Sequence, residues 1–278
     1  MKTTPKPFAE ILVPLDGTEC AWKALKQAVI VARLEERESK LTLLVVEDQD
    51  HPPAEVEAQE GPLAVALVEW ANRVEEEAQR RCEKAAIPAR TVRRAGHPQE
   101  WILHFEAEHD LTVLHPDEYA THPRGLLATP LETIIREAHH PLLLCADEPS
   151  PFDRPVVAYD GHPNSLTALK LAAEIAQRWH ETVWVVTVRE KDEDPEAVRV
   201  TLNEAALLLA DAHIQAEFVL LEGDPAEAIL EFMDRDVFDA LILGGFERPL
   251  LVEKLLGGAL VKLLKQRRYP LLITPRPA

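Results

Sequence analysis

Two glycine pairs mark the segment "LILGGFERPLLVEKLLGGALVKLL" (residues 241–264): Gly244-Gly245 closes an apolar run, and Gly257-Gly258 opens a helical one. Glycine lets backbone N–H groups approach an anion closely, and a helix N-terminus carries partial positive charge. A strand, glycines and a helix in that order can therefore cradle a phosphate. An earlier segment, "LTVLHPDEYATHPRGLLATPLETI" (111–134), has the same layout with its glycines replaced. Upstream in each half a strand pattern ends in Asp-Gly, as Asp16-Gly17 and Asp160-Gly161. Such a pair can offer a carboxylate to a ligand or can form a turn ahead of a helix. Histidines and carboxylates also gather, as His115, His122, His139 and His140 with Asp117 and Glu118. Metal ligation needs three or four groups converging on one point, and these show neither an i, i+4 His pair nor HExxH, so no metal site is expected. The chain has no GxSxG, no Walker A and no GxGxxG after a strand, and no nucleophile–base–orienter set repeats. A dedicated enzyme is not expected.

The elements that would position these residues come twice. Offset by 144, "LVPLDGTECAWKALKQAVIVA" lies over "VVAYDGHPNSLTALKLAAEIA", matching Asp16 to Asp160 and Gly17 to Gly161. Offset by 127, "GHPQEWILHF" lies over "GDPAEAILEF"; offset by 129, "EAHHPLLLC" lies over "QRRYPLLIT". The matches are collinear, so the chain reads as a duplication with its joint near residues 145–156. The predicted domains are 1–148 and 152–278. The drift in offset places an insertion of about 17 residues in the first half, within the acidic "EDQDHPPAEVEAQEGP", which reads as a longer solvated loop. Each half alternates near-continuous apolar strands with helices. That pattern predicts an α/β fold of two tandem, doubly wound, five-stranded parallel-sheet domains. Ligands in such sheets bind at the carboxyl ends of the strands, where strand order reverses. Asp16, Asp160 and Gly244-Gly245 fall at those ends. The last strand of each half, "PLLLC" and "PLLIT", is apolar throughout, so the halves are expected to pair through these edges as an intramolecular pseudo-dimer. A further homodimer is left open.

The 278 residues suffice for two cores, and the apolar share of 46% excludes a disordered chain. A net charge of -18 without a basic run argues against nucleic acid or an anionic membrane as partner. No apolar run approaches the roughly 20 residues of a membrane span. The N-terminus lacks a signal peptide's apolar core, and the three scattered cysteines suit a reducing cytoplasm, so a cytoplasmic protein is expected.

The strand endings "PLDGT" and "AYDGH", the "EGDPAEAIL" turn and the "LGG…LLGGALVKLL…YPLLIT" ending resemble the universal stress protein family, in its tandem two-domain form. The resemblance covers nearly the whole chain. It implies the adenine nucleotide α-hydrolase-like fold, a stress-response role and, in nucleotide-binding members, a loop Gly-x2-Gly-x9-Gly-Ser/Thr that holds ribose and phosphates. It also implies an Asp after the first strand that contacts adenine, here Asp16 and Asp160, each followed by glycine. In the second half the loop reads Gly244-x2-Glu247-x9-Gly257-Gly258, so the second glycine and the terminal hydroxyl are missing. In the first half it reads His115-x2-Glu118-x9-Ala128-Thr129, and only Thr129 survives. ATP or another adenine nucleotide is thus expected in the C-terminal domain alone, on Asp160, Gly161, Gly244, Gly245, Glu247, Gly257 and Gly258, with slow ATP hydrolysis as at most an incidental activity. The alternative is a nucleotide-independent scaffold that binds partner proteins.

Overall fold

The structure, a computed structural model, describes residues 8–35, 39–116, 130–235, 237–245 and 258–276, and the structural statements below concern these. The N-terminal half runs β1 (Glu10–Leu15), α1 (Glu19–Leu34), β2 (Lys40–Glu47), α2 (Ala54–Glu57), α3 (Leu63–Ala85), β3 (Ala89–Ala95), α4 (Pro98–Glu106), β4 (Leu111–Leu114), α5 (Pro130–Glu137) and β5 (Leu142–Leu144). The C-terminal half runs β6 (Pro155–Ala158), α6 (Pro163–Trp179), β7 (Val183–Arg189), α7 (Pro195–Asp211), β8 (Ala216–Glu222), α8 (Pro225–Arg235), β9 (Ala240–Leu243), α9 (Gly258–Gln266) and β10 (Leu271–Ile273).

Local chemistry starts these helices where the sequence changes period. Thr18 caps α1 by accepting from the Ala21 N–H at 3.2 Å. Asp194 caps α7 and Asp224 caps α8, each followed by proline, whose missing N–H costs nothing in the first turn. Trp179 is the last residue of α6, and His180 follows in the left-handed region at φ 61°. The face predicted for α6, Ala168, Ala172, Ile175 and Trp179, is the buried one.

The ten strands form one sheet in the order β3-β2-β1-β4-β5-β10-β9-β6-β7-β8. Every pairing is parallel except that of β5 with β10. The expected edge pairing is therefore present. Its register is informative: Leu143 faces Leu272, and these two are equivalent positions of the duplication. Leu142 faces Ile273 and Leu144 faces Leu271, so a pseudo-twofold axis passes through the central pair. Equivalent residues meet on that axis again at Glu35 and Trp179, where the indole N–H donates to the carboxylate at 2.8 Å. Arg178 donates to the other oxygen of Glu35 at 3.0 Å, and Glu35 is fully buried.

Two cores follow from the alternation of strand side chains. Ile11, Val13, Leu43, Leu143, Val157, Ile242 and Leu272 face α1, α3, α6 and α7. Leu12, Leu44, Leu144, Val156, Leu241 and Leu271 face α4, α5, α8 and α9. Each core runs across the seam from one half into the other. The acidic insertion is less fully solvated than its composition suggests, because Val56 of α2 is buried in the first core.

Candidate functional site

In each half the strand order reverses between the first and fourth strands, at β1/β4 and β6/β9. The C-terminal corner is built as follows. Asp160 follows β6; its Oδ1 accepts from the His162 N–H at 3.0 Å and from the Ser165 hydroxyl at 2.5 Å. Gly161 has φ +81°, a left-handed conformation that favours glycine, and an added Cβ would lie 3.1 Å from Thr201 of α7. Gly244 and Gly245 follow β9 without a positive φ; here the need is space. A Cβ on Gly244 would stand 2.5 Å from the carbonyl carbon of Asn164, and one on Gly245 would stand 2.5 Å from the Thr274 carbonyl oxygen. The first turn of α6 thus presses on the end of β9, and Asp160, Ser165 and Gly244 form one continuous cluster.

Beside that contact lies Asn164, whose buried Nδ2 has no acceptor. An amide donor in that state costs roughly 1–3 kcal/mol unless something accepts from it. Aspartate, histidine and serine together invite comparison with a Ser-His-Asp triad, but the Ser165 hydroxyl donates to Asp160 and not to an imidazole. The His162 ring lies 3.4 Å from Asp160. This geometry sets a turn and activates no nucleophile.

The N-terminal corner has the same frame and different contents. Asp16 accepts from the Thr18 N–H at 2.9 Å and from its hydroxyl at 2.6 Å, and Gly17 has φ +78°. At the position of Gly244 stands His115, fully buried at the end of β4, its Nε2 3.8 Å from Asp147. The position of Asn164 is held by Cys20, which has no amide donor. An imidazole therefore stands where, in the other half, glycine lets the backbone of α6 approach.

α9 begins at Gly258, as its layout predicts. Glu247, Gly257 and Thr129 lie outside the described residues, as do His122, Asp117 and Glu118. Among the described residues, His115 does not converge with His139 and His140: His115 ends β4, while His139 and His140 precede β5 at the opposite edge of the sheet and donate their backbone N–H groups to the buried Glu106. Cys82 is buried in α3, where desolvation first, then Glu83, pushes its thiol up to about 11, and it packs in the first core. The Asn164 donor was not legible in the sequence, since only the approach of α6 to β9 reveals it.

The universal stress protein family model matches residues 7–146 and again 151–275. The chain belongs to the universal stress protein family. Among curated relatives it is 23% identical over 227 residues to universal stress protein Slr1230 of Synechocystis, covering 81% of this chain and 75% of that one. It is 26% identical over 160 residues to stress response protein NhaX of Bacillus subtilis, covering 44% of this chain and 96% of that one. Among solved structures, a universal stress protein from Archaeoglobus fulgidus superposes with TM-score 0.77 at 17% identity, covering 98% of both chains. A putative universal stress protein from Pseudomonas aeruginosa superposes with TM-score 0.63 at 18% identity, covering 97% of this chain and 94% of that one. These last two likenesses establish the fold. Among the described residues no helix is long and apolar enough to cross a membrane.

The fit to an adenine nucleotide differs between the corners. In the C-terminal half, Asp160, the Asn164 amide and the backbone at Gly244 are gathered at the switch point, and the orphaned amide lacks an acceptor of the kind a base or ribose supplies. In the N-terminal half, His115 fills the equivalent place.

Proposed function

We propose that this universal stress protein is a cytoplasmic, non-catalytic sensor that binds an adenine nucleotide (ATP, ADP or AMP) in its C-terminal half and transmits the bound state through conformation. Asp160 would meet the base, and the backbone around Gly244, Gly245, Gly257 and Gly258 would meet ribose and phosphate. The observation that carries this reading is the buried Asn164 amide without an acceptor, at the topological switch point and beside Gly244. A second reading, a nucleotide-independent scaffold, is favoured by a different observation. Asp160 already serves a turn, and Gly244 and Gly245 are each required by packing.

Calorimetric titration of ATP and AMP into the full chain separates the two, together with chromatography of whatever the purified protein releases on denaturation. Saturable binding is expected. Asn164→Leu, which removes one hydrogen bond to the ligand, should weaken it about tenfold. In the absence of nucleotide the same substitution should leave the melting temperature unchanged or raised, because an orphaned donor has gone. No heat with either nucleotide at millimolar concentration would give the site to the scaffold reading.

A further inference from the structure

At the far edge of the N-terminal half, the carboxyl ends of β2 and β3 bring together residues that the nucleotide reading does not use. Asp48 follows β2 directly and is buried. Its Oδ1 accepts from the Asp50 N–H at 2.9 Å and the His51 N–H at 3.1 Å, which fixes the carboxylate and curls the chain so that His51 faces it. The β3–α4 turn is tied to the same place, because the Gly96 N–H donates to the Glu47 carbonyl at 3.1 Å. With Gly96 at φ +119°, that bond delivers His97 to the Asp48 side chain.

One ligand atom from each of Asp48, His51 and His97 lies within 4.8 Å of the other two. The free Oδ2 of Asp48 stands 3.5 Å from His51 Nδ1 and 3.9 Å from His97 Nδ1. Both separations exceed hydrogen-bond length, and both approach the edge of a tetrahedron around zinc, about 3.3–3.6 Å for bonds of about 2.0–2.2 Å. The other nitrogen of His97 is 3.8 Å from Asp50, beyond hydrogen-bond length but within reach of an ion pair. A carboxylate behind the ring of a ligating histidine is the usual means of orienting it. The nearby Arg93 is engaged by Glu47 and Glu75, so it does not neutralise Asp48.

The C-terminal half supplies an internal control. The same backbone bond recurs there, from the Gly223 N–H to the Arg189 carbonyl at 3.1 Å, with Gly223 at φ +124°. The positions of Asp48 and His97 are taken by Glu190 and Asp224, and Asp224 is held by the Lys262 ammonium at 2.8 Å. One half meets its acidic turn with a lysine of its own; the other meets it with two imidazoles.

We infer that Asp48, His51 and His97 form a binding site for a divalent transition cation of the zinc class, with Asp50 orienting His97 and a fourth position open to solvent. Two imidazoles and one carboxylate suit zinc, nickel or copper, and suit magnesium or calcium poorly, since those prefer all-oxygen shells.

The test is titration of Zn2+ into the full chain without nucleotide, read by competition with a chromophoric chelator, with Mg2+ as control and Co2+ absorption reporting tetrahedral geometry. One saturable equivalent of Zn2+ is expected. Asp50→Asn should weaken it about ten- to a hundredfold, and His51→Ala or His97→Ala should weaken it more. His139→Ala and His162→Ala should leave it unchanged. Both ligand histidines are half-exposed, and His97 makes no side-chain cap bond to α4, so these variants should melt like the parent without metal. Zn2+ should then raise the melting temperature of the parent and not of the variants. Absence of a saturable equivalent, or binding that survives both His51→Ala and His97→Ala, would overturn the inference. Neither result bears on nucleotide binding, so the two proposals fail separately.

Discussion

The N-terminal half closes its switch-point corner with the buried His115, where the C-terminal half has Gly244 and an unpaired Asn164 amide. Along the outer strands the positions are reversed: the N-terminal half gathers Asp48, His51 and His97, and the C-terminal half neutralises the same turn with Lys262. The frame under both corners is nearly identical, down to the left-handed glycines after the first strand and the turn bonds at Gly96 and Gly223. Duplication has therefore kept what the backbone requires and let the side chains at the strand ends diverge. Conformational need and packing fix Gly17, Gly161, Gly96 and Gly223 in both copies. The side chains at the strand ends are free to differ, and they do.

The largest expected effect tests whether the halves share one frame. Glu35 is fully buried and bonded by Arg178 and Trp179 across the pseudo-twofold axis. Glu35→Ala removes the two hydrogen bonds that the buried carboxylate accepts, each worth about 1.5–3 kcal/mol for a charged acceptor, and should destabilise the protein by about 3–5 kcal/mol. Denaturant unfolding measures it, and a loss below about 1 kcal/mol would mean that the seam is held by the β5–β10 ladder and the shared cores alone.

Next comes the corner itself. Gly244→Ala puts a Cβ 2.5 Å from the backbone of Asn164, which cannot move without shifting the start of α6. Overpacking of this kind costs about 1–3 kcal/mol. His115→Ala at the equivalent position should instead open a cavity and cost a similar amount for the opposite reason, too little volume in place of too much. If Gly244→Ala were neutral by thermal unfolding, the tight contact would not explain its glycine, and the ligand reading of that position would gain.

Much of this frame was legible beforehand because strong physical constraints write it into the residues. An apolar final strand must be covered, so the pairing of β5 with β10 followed from "PLLLC" and "PLLIT". Offsets between the repeats, combined with the rule for switch points, placed Asp16, Asp160 and Gly244 at the carboxyl edge where they lie. The nucleotide corner was only half legible. A sequence shows that Gly244 is glycine, but only the nearness of Asn164 shows that packing also requires it. The His/Asp cluster escaped because its pieces come from separate turns. They are joined by a backbone bond at Gly96, and no ligand spacing announces that bond. The one available signal was His97 standing where the repeat has Asp224.

The comparison sharpens further at the degenerate loop. By its sequence, the C-terminal half carries Glu247 where a phosphate-facing glycine is expected and Gly258 where a hydroxyl is expected. Glu247→Gly with Gly258→Ser removes one negative charge and adds donors to an anion. ATP affinity should rise ten- to a hundredfold, or about 1.4–2.7 kcal/mol, with AMP changing less. Unchanged titrations for both nucleotides would mean that the loop faces no ligand. The N-terminal half alone (residues 1–148) should bind no ATP, provided circular dichroism shows it folded.

The smallest expected effect concerns what helps to plug the N-terminal corner. Lys23 donates to Asp147 at 2.6 Å, and Asp147 also lies 3.8 Å from His115. The C-terminal half has Thr167 at the position of Lys23 and makes no such pair there. The hydrogen bond from Lys23 is the first cause holding the Asp147 carboxyl below its ordinary range, and the same bond raises the Lys23 ammonium. The two directions agree. A depressed carboxylate contributes stability above its unfolded pKa of about 3.9 and loses it as pH falls through the lower folded value. A raised lysine contributes below its unfolded pKa of about 10.4 and loses it as pH rises through the higher folded one. The pair should therefore contribute fully at neutral pH and fade at both extremes. Its side chains are 36% and 58% exposed, so solvent screening limits the contribution to less than about 1 kcal/mol. Lys23→Thr should lower the unfolding free energy by that small amount at neutral pH and low salt, and by less at high salt or acid pH. A loss insensitive to both would show that Lys23 holds the corner by packing its stem and not by its charge.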